Sequence, residues 1–520
     1  MTRYCKRVLA GVGVVAGLLP VSGQVRAAQG TPVKAPSALT VAQASKSAVV
    51  LTWTPGDAST PSIVERKLLG APWPAAGATP SASIGTADTA RFTDSKVDQF
   101  ATYVYRVRTQ GTGAPSAPSN EVTVGPPPTG FSQVVATPKA MHDHDPAQFA
   151  SVISMALDAN GDPAFAYLVS DLNNDGENPD SALDFIAWNR AAYRWNPPVR
   201  VAMVGDVARS GTRPSFSLAF DGVSRAGIAY LVTDRQVQFA LSTDGGVTWT
   251  SNPVQQVSSE SSGLSTPALA LDGDKAYVAY LAERDVVFAS GAVADKPSSW
   301  SRQKAPMLPG TGEVRAECIS VAVDAEHRPV MTYCLNPNEG YTVSVAFWRP
   351  GQSSAVKVID TDGHQADDPS AKLAVAGQRM AVVFYGGRDD KFFNGHHVWM
   401  TKSSDQGATW APPALVADDG GHEMVPPVSI AIDSAGRYAM GAPIGGGNEA
   451  AVKCGTPSLM RSADGTAWTT CAPNTRGFPA DGDSRYALVT IAGNNKVYEV
   501  FHTQQPAAGV GAGLVLWREP

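Results

Sequence analysis

One apolar pattern recurs seven times in the C-terminal three quarters of the chain. In each copy an alternating apolar strand ends at a tight turn and a second strand follows, as in "SVISMALDANGDPAFAYLV" and "PALALDGDKAYVAYLA". The last position before the turn, which we call the closing position, recurs every 51 to 63 residues. It is occupied by Asp158, Asp221, Asp272, Asp324, Ala376, Asp433 and Ala492. Repeats of this length are typical of β-propellers, in which each copy forms one four-stranded blade. The sequence therefore predicts an all-β chain with a seven-bladed propeller over residues 131–520.

The two ends of the repeat region predict how such a ring closes. The seventh copy stops after its third strand, "AGLVLWRE", so its fourth strand is missing at the C-terminus. The segment "FSQVVAT", residues 131–137, precedes the first copy. We expect this segment to complete the last blade, because pairing it there leaves no open sheet edge.

Residues 34–125 predict a second, smaller domain. Short alternating segments such as "AVVLTWTPG" and "ATYVYRVRT" are separated by Gly, Pro and Ser, which is typical of an antiparallel sandwich. The three prolines of the linker, residues 126–130, indicate a stiff, extended boundary. Trp53, "VER" at 64–66, "TYVYRVR" around Tyr103 and "SAPSNEVTV" resemble a fibronectin type III domain. The resemblance implies that Trp53 packs the core, that the Tyr103 hydroxyl bonds to backbone, and that the domain is a spacer or binds a protein partner.

The first 27 residues predict an export signal. Arg3, Lys6 and Arg7 precede the apolar run "VLAGVGVVAGLLPV", and a small-residue cleavage site ends at Ala27. The run is too short to span a bilayer, and no later apolar stretch reaches spanning length. Removing the segment deletes four basic residues and no acid, so the net charge changes from −6 to −10. Nucleic acid and anionic membranes are poor partners for a secreted protein this acidic.

Four cysteines remain after the signal segment. In an oxidising compartment an even number favours disulfides. Cys318 is expected to begin a first strand and Cys334 to end its partner, while Cys454 precedes a third strand and Cys471 lies on the paired fourth strand. We therefore expect the bridges Cys318–Cys334 and Cys454–Cys471, with a zinc site or a catalytic thiol as the alternatives.

Two turns share the pattern Ser-x-Asp-x-Gly-x-Thr-Trp: "STDGGVTW" at 242–249 and "SSDQGATW" at 403–410. A shortened form, "SADGTAW", lies at 462–468, and a fainter one at 295–300. They resemble the Asp-boxes, or BNR repeats, of sialidase-like propellers. In such a turn the aspartate accepts N–H groups, the glycine adopts a backbone angle that other residues avoid, and the tryptophan fills the seam between blades. The resemblance places the boxes on the rim opposite the ligand-binding face.

Seven of the eight histidines are predicted to lie on one rim. Loops from a fourth strand to the next first strand share this rim with loops from a second to a third strand, whereas His327 lies in a turn of the other rim. A single loop histidine is usually a solvated surface residue, but seven beside long loops favour a walled pocket. The candidates for catalysis are His144, His364, His422, Tyr385, Arg388 and Glu423, and those for ligand binding are His142, Asp145, Asp367, Asp389, Asp390, His396, His397 and His502.

A calcium loop is a further possibility at "DLNNDG". Asp171, Asn173 and Asp175 are hard oxygen ligands at alternate positions before a glycine. The glutamate expected at the twelfth position is absent, and Asp180 or Asp184 could replace it. A simple Asx-rich turn is an equally good interpretation.

The predicted site is compatible with several functions. In the first, aromatic and imidazole rings stack on sugars while Asp and Asn bind hydroxyls, so the protein recognises an extracellular glycan. In the second, it cleaves the glycan: a His–Tyr pair removes a proton beside a uronate that Arg388 neutralises, as in propeller-shaped polysaccharide lyases, or two carboxylates hydrolyse the bond. In the third, the protein is a protein-binding scaffold.

A sialidase is a special case of the second function. Sialidases have six blades, an Arg-Ile-Pro opening and three arginines that grip a carboxylate, and no Arg-Ile-Pro occurs in this chain. Arg213, Arg315 and Arg485 are nevertheless expected at the starts of innermost strands, with Glu317 nearby, so an arginine cluster stays open.

Overall fold

The structure is a computed structural model and describes most of the chain outside the N-terminal segment. The described residues are 33–136, 153–169, 181–204, 216–256, 264–309, 313–336, 343–360, 370–385, 397–418, 428–442, 458–469, 484–503 and 513–519, apart from 75–81, 113, 224, 234–235, 283, 294–299 and 493–495. Every helix or strand assigned within these ranges is a β-strand, as the sequence predicts.

The N-terminal domain is a sandwich of two antiparallel sheets. Its strands are β1 (Ser37–Ala44), β2 (Val49–Thr54), β3 (Ser62–Leu68), β4 (Ser83–Ala87), β5 (Arg91–Asp94), β6 (Tyr103–Thr109) and β7 (Val122–Val124). One sheet has the order β1-β2-β5 and the other β4-β3-β6-β7. Trp53 is buried in the core, and its indole N–H donates to Ser62 Oγ at 3.2 Å. The Tyr103 hydroxyl accepts the Asp98 N–H at 3.0 Å, so both predicted aromatic contacts are confirmed.

The rest of the described chain forms seven further sheets, which we number in chain order. Sheet 1 contains β9 (Ile153–Leu157), β10 (Pro163–Val169), β11 (Ser181–Asn189), β12 (Arg194–Trp195) and β13 (Val199–Val204), and sheet 2 contains β14 (Phe216–Phe220), β15 (Ala226–Thr233), β16 (Gln236–Ser242) and β17 (Thr250–Gln256). Sheet 3 contains β18 (Leu264–Asp272), β19 (Lys275–Ala282), β20 (Asp285–Ala292) and β21 (Ser301–Lys304). Sheet 4 contains β22 (Glu313–Val323), β23 (Pro329–Asn336), β24 (Ser344–Trp348) and β25 (Val356–Asp360). Sheet 5 contains β26 (Ser370–Ala376), β27 (Arg379–Tyr385), β28 (His397–Ser403) and β29 (Ala414–Asp418), and sheet 6 contains β30 (Ser429–Ile432), β31 (Tyr438–Ala442) and β32 (Ser458–Ser462). Sheet 7 contains β33 (Ser484–Ala492), β34 (Lys496–Thr503), β35 (Gly513–Arg518) and β8 (Gly130–Ala136).

The first strands of these sheets contact one another in sequence. β9 contacts β14, and the series continues through β18, β22, β26, β30 and β33, which contacts β9 again. In four seams a serine Oγ accepts a backbone N–H of the next first strand: Ser154 from Leu218, Ser217 from Leu269, Ser320 from Leu373 and Ser429 from Val489, at 3.0 to 3.3 Å. This is the arrangement of a β-propeller, with the first strands innermost.

The last sheet is completed by the first strand of the domain. β35 pairs antiparallel with β8, and Trp517 lies opposite Phe131. The predicted role of this segment is therefore confirmed for residues 131–136, the part that the structure describes.

The turns that follow the first strands lie on one rim, which we call the turn rim. The closing aspartates organise these turns: Asp221 Oδ1 accepts the N–H groups of Val223 and Arg225, and Asp324 Oδ1 accepts those of Glu326 and Arg328. His327 lies on this rim as predicted, with Nδ1 2.8 Å from Asp272 Oδ1.

The Ser-x-Asp turns also lie on the turn rim and make the contacts predicted for them. Asp244 Oδ1 accepts the N–H groups of Val247 and Thr248, and the Ser242 hydroxyl accepts that of Gly246. Gly246 has φ +93°, and a Cβ there would lie 2.0 Å from Phe185 of sheet 1. Trp249 of sheet 2 packs on the same Phe185, with ring centroids 5.1 Å apart, so the turn closes a seam.

The sandwich docks on the turn rim at sheets 1 and 7. Arg190, at the end of β11, donates to Gln99 O at 2.7 Å, and Arg518, at the end of β35, donates to Phe100 O at 2.8 Å. Trp188 donates to the carbonyl of Gly125, the residue just before the linker, at 2.9 Å, and Pro126 and Pro127 of the linker are buried. The linker is therefore packed between the two domains.

The predicted bridge Cys318–Cys334 is present, with a Cα–Cα distance of 5.2 Å. β22 begins at Glu313, five residues before the expected start, so Cys318 lies inside the strand. The pairing of β22 with β23 shifts register between Arg315 and Ser320, and the disulfide crosses this irregular stretch. Cys454 and Cys471 lie outside the described residues.

Candidate functional site

The rim opposite the turn rim, which we call the mouth rim, is formed where first strands begin. Each first strand begins beside the end of its second strand and the start of its third, because neighbouring strands are antiparallel. In sheet 5, Ser370 pairs with Tyr385, Tyr385 with Val398, and Val398 with Ala417. The contacts of Arg190 and Arg518 with the sandwich lie on the turn rim, which is the opposite end of sheets 1 and 7 from the mouth rim.

Sheet 5 brings two predicted site residues to the mouth rim. Tyr385 is the last residue of β27 and His397 the first of β28. His397 pairs with Asp418, and this pair lies one residue closer to the mouth rim than the pair of Tyr385 with Val398. The backbone therefore places a tyrosine, a histidine and an aspartate at the mouth-rim ends of three neighbouring strands.

Sheets 7 and 4 bring arginines to the same rim. Arg485 of β33 pairs with His502 of β34, and Arg315 of β22 pairs with Cys334 of β23. Both strands shift register just after the arginine. Such irregularities bend a strand and re-aim its side chains, and they are frequent beside binding sites. For these residues, as for Tyr385 and His397, the described geometry is that of the backbone.

The other predicted site residues lie outside the described residues, in segments that follow or precede mouth-rim strand ends. These are His142, His144 and Asp145; His364 and Asp367; Arg388, Asp389, Asp390 and His396; and His422 and Glu423. Arg213 also lies outside, and of Glu317 only the backbone is described.

Four tyrosines of the second strands are buried in the seams. They are Tyr167, Tyr230, Tyr280 and Tyr333. Burial raises the pKa of each, to about 12 for Tyr280. Tyr280 donates to Gln255 Oε1, and Tyr333 donates to Pro306 O at 2.5 Å. All four phenols stay neutral, and those of Tyr280 and Tyr333 bind groups outside their own sheets, so none is a candidate for a general base.

The aspartates of the Ser-x-Asp turns have a structural role. The hydroxyl and N–H of Thr248 lower the pKa of Asp244 to about 2, and those of Thr409 do the same for Asp405. A carboxylate that accepts this many hydrogen bonds is a poor proton donor.

No metal site is found among the described residues, where no three His, Cys, Asp or Glu side chains are close enough to share an ion. The predicted calcium ligands Asp171, Asn173, Asp175 and Asp180 all lie outside them. Asp184 pairs with Arg200, with Oδ1 2.8 Å from Nε. The described part of the chain also contains no helix long and apolar enough to cross a membrane.

Several residues that shape the fold around the site were not singled out from the sequence. Arg190 and Arg518 fix the sandwich to the turn rim, and Lys372 lies on β26 at a position where four other sheets have serine. The serine position is visible in the sequence as a residue that recurs four positions before the closing position. The two arginines carry no comparable sequence signal.

Comparisons with known proteins give only distant structural likenesses. No protein family matches the sequence, and no curated protein matches it either. An α-L-arabinofuranosidase from Fusarium graminearum is similar over 75% of this chain and 97% of its own, with 11% identity and a TM-score of 0.40. An ulvan lyase matches 66% of this chain and 87% of its own, with 13% identity and a TM-score of 0.39. A variant of the NanB sialidase from Streptococcus pneumoniae matches 92% and 91%, with 8% identity and a TM-score of 0.37. Because these TM-scores lie below 0.5, the fold and function of this chain rest on its own residues.

Proposed function

We propose that this chain is an exported, glycan-directed protein: a seven-bladed β-propeller that follows a fibronectin type III domain and recognises extracellular carbohydrate at the mouth rim. One observation carries the proposal. The sandwich and the Ser-x-Asp turns lie on the turn rim, whereas the segments that hold seven of the eight histidines adjoin strand ends of the mouth rim. The mouth rim lies opposite the Ser-x-Asp turns, and the imidazole, carboxylate and phenol residues that adjoin its strand ends suit a polyhydroxylated ligand.

The sheet 5 and sheet 7 strand ends support this assignment. Tyr385 and the pair His397–Asp418 lie in two successive rows at the mouth-rim end of sheet 5, and Arg485 pairs with His502 at that end of sheet 7. Aromatic and imidazole rings can stack on sugar faces, while carboxylates and arginine bind hydroxyl or acid groups.

A glycan panel tests the proposal with the full chain. We expect retention of at least one extracellular glycan, and at least tenfold weaker retention by the triple variant His144→Ala, His364→Ala, His422→Ala. His327→Ala, which removes the turn-rim histidine, is the matched control and should bind as the wild type does. Unchanged binding by the triple variant would refute the mouth-rim site.

The same incubation separates recognition from cleavage. Retention without product indicates a lectin-like protein, new reducing ends indicate hydrolysis, and a new unsaturated sugar indicates a lyase. For cleavage, His144, His364, His422, Tyr385, Arg388 and Glu423 are the proposed catalytic candidates. We also retain calcium at Asp171, Asn173, Asp175 and Asp180 as a proposal, tested by metal analysis of the wild type and Asp175→Ala.

A further inference from the structure

Lys372 interrupts a position that is otherwise occupied by small or uncharged residues. The residue four positions before the closing position is Ser154, Ser217, Ala268, Ser320, Lys372, Ser429 and Leu488 in sheets 1 to 7. The four serines each accept an N–H from the next first strand. Lys372 is therefore expected to face the seam between sheets 5 and 6, close to the axis.

The surroundings of Lys372 are apolar. It pairs across the sheet with Val383, and Val383, Ala374, Val428 and Ile430 belong to the buried cluster of this seam. Burial lowers the pKa of the Lys372 ammonium, and no acidic side chain among the described residues opposes that effect. Part of the lysine surface stays accessible.

The same seam contains a second hydrogen-bond donor. In the serine seams the donor is the residue three positions before the closing position of the next sheet, namely Leu218, Leu269, Leu373 and Val489. In sheet 6 that residue is Ile430. A protonated lysine side chain has only donors, so the Lys372 ammonium cannot accept the Ile430 N–H as a serine would. Two donors thus occupy places where a donor and an acceptor meet in the other seams.

We propose that the seam between sheets 5 and 6 binds a small anion, a halide or a carboxylate group, between the Lys372 ammonium and the Ile430 N–H. A charge that lacks a partner in apolar surroundings is unfavourable, and an anion held by both donors removes this penalty. The proposal goes beyond glycan recognition and does not depend on it.

Bromide locates the site directly. Crystals of the full chain are grown in sodium bromide, and anomalous scattering is measured. We expect a bromide peak within hydrogen-bonding distance of Lys372 Nζ and Ile430 N, no peak in Lys372→Met, and an unchanged peak in the control Lys275→Met, which removes an exposed lysine. If the wild-type crystals show water and no bromide peak between Lys372 Nζ and Ile430 N, the proposal is overturned.

Thermal unfolding gives an independent test that needs no crystals. Bromide or formate replaces a bulky sulfonate anion at constant ionic strength, and the wild-type melting temperature should rise by several degrees with at least one of them. Lys372→Ser restores the serine pattern and supplies an acceptor for the Ile430 N–H, so its melting temperature should not respond. A response to bromide alone identifies a halide site, and a response to formate identifies a carboxylate site. An equal response of the wild type and Lys372→Ser, or none in the wild type, overturns the proposal.

Discussion

Arg190 and Asp162 form a bidentate ion pair where the sandwich meets sheet 1. The distances Nε–Oδ2 and Nη2–Oδ1 are both 2.7 Å, and both side chains are buried. Arg190 also donates to Gln99 O of the sandwich at 2.7 Å. A single guanidinium therefore joins a turn of the propeller to the backbone of the other domain.

Removing Arg190 should strongly destabilise the chain. Arg190→Met leaves the Asp162 carboxylate buried without its partner, and breaking a buried pair in this way costs about 3–5 kcal/mol. We expect that loss in the free energy of unfolding measured by urea denaturation. Arg194→Met, which removes an exposed arginine from the same connection, is the control and should change little. A stability of Arg190→Met equal to that of the control would contradict the role of the pair.

The seam serines should each stabilise the ring by a modest amount. Ser217→Ala or Ser429→Ala leaves a backbone N–H without its acceptor, so we expect a loss of about 1 kcal/mol in the free energy of unfolding. Ser301→Ala, on the exposed strand β21, serves as the control. Ala268→Ser is the reverse experiment, since it supplies an acceptor at an equivalent position, and it should raise stability. Equal effects of the seam and control variants would refute this reading.

The bridge Cys318–Cys334 should stabilise the chain by constraining its unfolded state. The two residues are 16 apart in sequence, and closing a loop of that size contributes about 3 kcal/mol. We expect a loss of this order in Cys318→Ala, Cys334→Ala. Peptide mapping under non-reducing conditions should show this bridge together with the proposed Cys454–Cys471. Free thiols at the first pair would contradict the structure.

The Ser-x-Asp turns should lose their contribution only in strong acid. The folded pKa of Asp405 is lowered to about 2 from an ordinary value of 3.8, chiefly by the Thr409 hydroxyl. A lowered acid pKa means that the stabilisation is complete above about pH 4 and disappears as the pH falls towards 2. The difference in melting temperature between the wild type and Asp405→Asn should follow this course. The control Asp88→Asn replaces an exposed aspartate and should melt close to the wild type, and a difference for Asp405→Asn that grows below pH 4 would contradict the assignment.

Much of the fold is readable from the sequence because it is local or repeats in register. The turn at Asp221, the contacts of Asp244 and the place of β8 all follow from the repeat, and the contacts of Trp53 and Tyr103 follow from the sandwich pattern. Each depends on residues that are near in sequence or that share a position in the repeat.

Other features do not follow from any period. Arg518 contacts a carbonyl 418 residues away, and nothing in the strand pattern pairs it with Phe100. The candidate site is built from connections of unequal length, so the register that predicts strand ends such as Tyr385 and His397 does not predict how side chains between them meet. Lys372 is a single departure from a repeated position, and its meaning appears only once the seam hydrogen bonds of the serines are known.

The pairing of β8 with β35 has a consequence for how the protein is made. β8 is synthesised before the other described strands of the ring, yet its partner β35 is the last of them to be synthesised. The nascent polypeptide must keep this first strand unpaired until β35 has been made, while the sandwich just ahead of it can already fold. The last sheet can therefore close only after β35 has emerged, and a product that stops before β35 would leave both β8 and the edge of β34 exposed to aggregation.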